Sequence, residues 1–110
     1  MSPVIAQADR AGWQRRATAG LARILEGHPE LPCITWTVGP AGSVITGRVS
    51  GLAPSRQVRV VFRAWQRALG LGECSEQHST GGSAWLRAAD RSGPVTVRLT
   101  ATVLGEGEDA

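Results

Sequence analysis

The sequence predicts an α+β domain: an antiparallel sheet of about five strands with two helices on one face, in the order α-β-β-α-β-β-β. Three observations predict it. Residues 54–70, "PSRQVRVVFRAWQRALG", place Val58, Val61, Phe62, Trp65, Ala68 and Leu69 on one side of a helix. Residues 94–104, "PVTVRLTATVL", alternate strictly between apolar and polar, the pattern of a strand with one buried face and one wet face. Two shorter alternating segments, "PCITWTV" and "SVITGRV", flank the turn signal "GPAG".

In chain order, residues 5–26 read as the first helix. Trp13, Ala17, Leu21, Ile24 and Leu25 fall on one side, with Arg15, Arg16, Arg23 and Glu26 opposite. Gly27 followed by Pro29 is a stop signal. In the first hairpin Ile34, Trp36, Val38, Ile45 and Val49 share the buried face, and joining Val38 to Ser43 sets Trp36 against Ile45. Gly47 inside the strand implies a bulge or the close approach of a helix. "SGLAP" connects to the second helix, which ends near Leu69, where Gly70 and Gly72 can supply a positive φ. The last third reads as a meander: a weak polar strand "ECSEQHS", the turn "TGGS", the strand "AWLRAA", the turn "DRSG" and the final strand. With that last turn, Ala88 faces Val95 and Leu86 faces Val97.

The 110 residues suit one domain, read as residues 1–105, with the acidic end 106–110 as a short disordered tail. The apolar content, 42%, is that of a globular chain, and no apolar run approaches the roughly 20 residues that span a bilayer. The amino-terminal residues do not read as a secretory signal, so a soluble cytoplasmic protein with no membrane association is expected. All twelve basic residues are arginine, and Lys, Asn and Tyr are absent, the signature of a GC-rich genome. Residues 1–105 hold those twelve arginines against six acids, so the body is basic and can favour polyanions.

Catalytic and metal motifs are weak. Cys33 and Cys74 lack zinc spacing and read as reduced thiols. His28 reads as an exposed turn residue. Cys74, Glu76 and His78 would share one side of a strand, but three ligands with no fourth do not argue for a metal. No phosphate loop and no orienting partner for a Cys–His pair is present, so neither a catalytic residue nor a cofactor is expected.

Two surfaces stand out as candidate binding sites. On the second helix Arg56, Arg59, Arg63 and Arg67 fall within an arc of roughly 80°, with Val60 exposed among them. No acid lies within that helix to offset the repulsion. On the open side of the sheet Trp85 and Arg87 lie beside Arg98, with Arg48, Thr35, Thr37, Thr100 and Thr102 on the same face. Arginines around an exposed Trp suit base stacking or the centre of a protein interface. A one-residue slip would bury Trp85 instead. The expectation is a non-enzymatic binding module, a regulator or adaptor, that contacts a protein partner or a second copy of itself. Nucleic-acid binding through the helix arginines is the alternative, and a small metal-binding or enzymatic domain ranks third.

The segments "LARILEGHPELPCITWTVGPAGSVITGRVSGLAPSRQVRVVFRAWQRALGL" and "VTVRLTATVLGEGED" resemble a group of small actinobacterial proteins with no established activity. The resemblance covers roughly residues 20–104 and agrees with the GC-rich composition. It implies a bacterial cytosolic setting and assigns no residue a role.

Overall fold

A computed structural model describes the backbone of residues 3–39, 43–49, 54–92 and 95–105, and the side chains within those stretches from Asp9 onward, Ser92 excepted. The elements run α1 (Pro3–Gly27), β1 (Thr35–Val38), β2 (Val44–Val49), α2 (Ser55–Ala68), β3 (Ser75–His78), β4 (Ala84–Ser92) and β5 (Val95–Val103). This is the α-β-β-α-β-β-β order of a single α+β domain. The expected acidic tail, 106–110, lies outside the described residues.

The sheet order is β1-β2-β5-β4-β3. It is mixed rather than wholly antiparallel, because β2 and β5 pair in parallel at its centre. The reason is α2. It carries the chain across the sheet from β2 to the far edge, and two antiparallel steps, β3 to β4 and β4 to β5, bring it back pointing along β2. An antiparallel reading assumes that neighbours in sequence are neighbours in the sheet, and the long crossover breaks that assumption.

Both helices cover one face. Val58, Phe62 and Trp65 of α2 pack with Val49, Leu86, Ala88, Leu99 and Ala101. Ala17 of α1 packs with Ile45, Val95 and Val97. The small residues Ala17 and Gly20 let α1 lie close to the sheet: a Cβ on Gly20 would stand 3.3 Å from Val95 and 3.5 Å from Ile45. Hydrophobic periodicity does not score glycine, and it placed Leu25 on the buried side, where Leu25 is 45% exposed.

α2 begins with Val58 N–H donating to the Pro54 carbonyl at 3.0 Å. It ends in a full Schellman motif, in which Gly70 N–H donates to Arg67 O at 3.1 Å and Leu71 N–H to Gln66 O at 3.0 Å. Gly70 takes φ +64°, and Gly72 is not needed for the stop. Trp65 Nε1 donates to Pro32 O at 2.9 Å, and its ring meets Trp36 edge to face at 5.4 Å. Such a pair adds about 0.5–1.5 kcal/mol beyond the area it buries. His28, expected as an exposed turn residue, instead sits half-buried with its ring 6.2 Å from that of Trp65.

Gly47 forms no bulge, since β1 and β2 pair without interruption and Trp36 lies opposite it. A Cβ there would meet Ile34 Cδ1 and Trp36 Cζ3 at 2.9 Å, so glycine makes room for side chains on and just before the neighbouring strand β1, not for a helix. The two hairpin registers differ from the expected ones. Trp36 faces Gly47 rather than Ile45, a shift of two residues. Ala88 faces Leu99 rather than Val95, a shift of four, because β4 continues through the supposed turn residues Asp90, Arg91 and Ser92. Both shifts are even, so every side chain keeps the face it was assigned.

Candidate functional site

The open face of the sheet is the more distinctive candidate. Its positions follow from the pairings. Arg48 of β2 stands beside Thr35 of β1 and Thr100 of β5, Thr100 beside Arg87 of β4, and Arg87 beside Ser75 of β3. One row therefore crosses all five strands as Thr, Arg, Thr, Arg, Ser. The next row holds Thr37, Thr46, Arg98 and Ala89. A third holds Val44, Thr96 and Arg91. On the other side of the Arg48 row, Trp85 lies between Thr102 and Gln77.

Those strand positions carry four arginines, Arg48, Arg87, Arg91 and Arg98, and no carboxylate. Asp90, the acid within β4, points to the opposite face by alternation. All four arginines are exposed, and none is in an ion pair among the described residues. With strands about 4.8 Å apart, the anchors of Arg48 and Arg87 are about 10 Å apart, and Arg87 and Arg91 about 13 Å along β4. These spacings exceed the Debye length of about 8 Å at physiological salt, so the four charges reinforce one another on a polyanion mainly at low salt.

Trp85 is 44% exposed, on the open side where the alternation put it. Its partner across the ladder is Thr102, and Arg98 lies opposite Ala89, so Arg98 is farther from Trp85 than expected. Sequence reasoning missed Arg91, because "DRSG" reads as a turn; continuing the 85, 87, 89 alternation by one step would have found it. It also missed Leu104, 52% exposed at the end of β5. Leu104 lines a hollow of about 560 Å³ together with Arg48, Trp85, Arg87, Thr100 and Thr102.

The arginine stripe of α2 is a different kind of surface. Arg59 is not free for a partner: it grips Glu76 of β3 with both ends of its guanidinium, Nη1 to Oε1 at 3.0 Å and Nη2 to Oε2 at 2.8 Å. The acid missing from the helix comes from the edge strand. That hydrogen-bonded guanidinium, more than the charge of Arg59 or of His78, holds the Glu76 carboxyl below the usual carboxylate range. Arg56, Arg63 and Arg67 are exposed and in no ion pair among the described residues, and Val60 is 61% exposed among them. Between this flank and β3 lies a hollow of about 460 Å³ lined by Arg59, Arg63, Arg67, Phe62, Cys74 and Glu76, among others.

His78 Nε2 lies 2.7 Å from Glu76 Oε2, so this carboxylate is shared between Arg59 and His78. Among the described residues no group of three His, Cys, Asp or Glu side chains is arranged to hold a metal ion. Cys33 and Cys74 are both exposed free thiols. No helix among the described residues is long and apolar enough to cross a membrane. Comparison with known proteins returned no matching family model, no matching curated protein and no matching solved structure.

Proposed function

We propose that this chain is a non-enzymatic binding module whose working surface is the open face of the sheet, and that its partner is a nucleic acid. The observation that carries the reading is the composition of that face: four exposed arginines, no strand carboxylate, a border of threonines and one half-exposed tryptophan. Arginines and hydroxyls bind phosphate, and an aromatic ring offers a base a surface to stack on. The face also argues against self-association back to back. Two copies would bring eight arginines together with no strand acid between them, a like-charge juxtaposition that costs several kcal/mol. The test is a titration of a fluorescent single-stranded oligonucleotide at low salt. Binding that is lost on Arg48→Glu with Arg87→Glu supports the reading; no binding by the wild-type protein removes it.

A protein partner on the helix layer is the second reading. It is favoured by Val60, an exposed apolar side chain flanked by the exposed Arg56 and Arg63. A Val60→Asp variant that keeps oligonucleotide binding while losing a protein partner in cross-linking would assign this face separately.

A further inference from the structure

We propose that the hollow around Trp85 is a nucleobase subsite, so that the nucleic acid bound is single-stranded with one base held against Trp85. The inference rests on the reading of the open face as a nucleic-acid surface and adds what the arginines alone do not specify. Trp85 and Leu104 are the two large apolar side chains exposed on this side of the sheet among the described residues. Both line the same hollow. Leu104 is two residues beyond Thr102, the cross-strand partner of Trp85, so the two apolar groups are diagonal neighbours.

What the hollow offers matches three features of an unpaired nucleotide: the face of its base, the polar edge of that base and the adjoining phosphates. The indole supplies a flat apolar face for the face of a base. Thr100 and Thr102, on the strand beside Trp85, offer hydroxyls that both donate and accept, as the polar edge of a base requires. Arg48 and Arg87, on either side of Thr100, supply cations for the phosphates that adjoin the base. A chain of phosphates without bases, or an acidic peptide, would use the arginines and leave Trp85 and Leu104 facing water. A duplex would present phosphates but keep its base faces stacked inside. Only an unpaired strand fills every part of the site.

Four probes separate these occupants by fluorescence anisotropy or competition at low salt: a twelve-residue oligothymidylate, the same sequence as a duplex, inorganic polyphosphate of similar length, and a twelve-residue polyglutamate. The oligothymidylate binds at least about tenfold more tightly than the other three. Trp85→Ala weakens oligothymidylate binding roughly tenfold, the range of one stacked base, and changes polyphosphate binding less than about twofold. Trp85→Phe restores most of the loss, which a merely unfolded surface would not do; thermal melting of both variants checks the fold. The subsite is refuted if Trp85→Ala leaves oligothymidylate binding unchanged or weakens both probes alike, with the arginine face then acting by charge alone. Equal or tighter binding of the duplex or of polyglutamate replaces the single strand with that partner. Failure of oligothymidylate and polyphosphate alike to bind the wild-type protein removes the open-face reading and this inference with it.

Discussion

At the residue scale, two residues have roles that type and spacing did not reveal. Gly47 is required because Trp36 and Ile34 fill the space where its Cβ would be. Gly47→Ala should cost about 1–3 kcal/mol, the usual penalty for overfilling a packed site, seen as a lower denaturation midpoint with unchanged m-value. Arg59 belongs to the fold: it ties β3 to α2 through Glu76. Arg59→Glu sets two carboxylates face to face and should lower stability by about 1 kcal/mol or more, whereas Arg63→Glu should stay within about 0.5 kcal/mol of wild type. The Arg59–Glu76 pair also fixes the sign of a pH effect. The fold favours the ionised carboxylate, so the unfolded chain takes up this proton first as pH falls. The stabilisation is therefore complete above the ordinary carboxylate range and disappears as pH drops through the depressed value. Chemical denaturation of wild type and Glu76→Gln should differ at about pH 7 and converge as pH falls from the ordinary carboxylate range through the depressed value.

At the element scale, α2 is the element most legible in sequence. Its apolar stripe delivered Val58, Phe62 and Trp65 to the core, and Phe62→Ala should cost about 3–5 kcal/mol in equilibrium unfolding. The strands were legible in face but not in register. Alternation assigns each residue to a side with period two, so Trp85, Arg87, Arg98 and Arg48 were correctly placed together on the open face. It says nothing about how far one strand slides along another by even steps. That depends on where the turn begins, and Asp90-Arg91-Ser92 carries turn residues yet continues in β4. Arg91 was lost to the site for this reason. The parallel pairing of β2 with β5 was illegible for another: it follows from the path of the chain over the sheet, and no local pattern encodes it. The Arg59–Glu76 bond joins residues from a helix and the strand that follows it, 17 positions apart, so the helix alone read as an unrelieved basic stripe.

At the scale of the whole molecule, the two faces of the sheet differ in chemistry. One side of the sheet is apolar and holds both helices; the other carries arginine, threonine and Trp85. The acids of the last five residues, Glu106, Glu108 and Asp109, oppose the positive charge of the body. Deleting residues 106–110 should strengthen binding of an anionic polymer, most at low salt, where screening is weakest. Exposed variants on the open face should leave stability within about 0.5 kcal/mol, so losses of binding there can be read as losses of contact.

The most direct test of the central claim is the salt dependence of single-stranded oligonucleotide binding in three proteins: wild type, Arg48→Glu with Arg87→Glu on the sheet, and Arg56→Glu with Arg63→Glu on the helix. Four sheet arginines on phosphates predict a slope of log K against log salt of about −3 for wild type, from roughly −0.7 per phosphate on a single strand. The sheet variant should lose binding, and the helix variant should keep most of the wild-type affinity and slope. A helix variant that loses binding while the sheet variant keeps it, or wild-type binding indifferent to salt, would contradict the account.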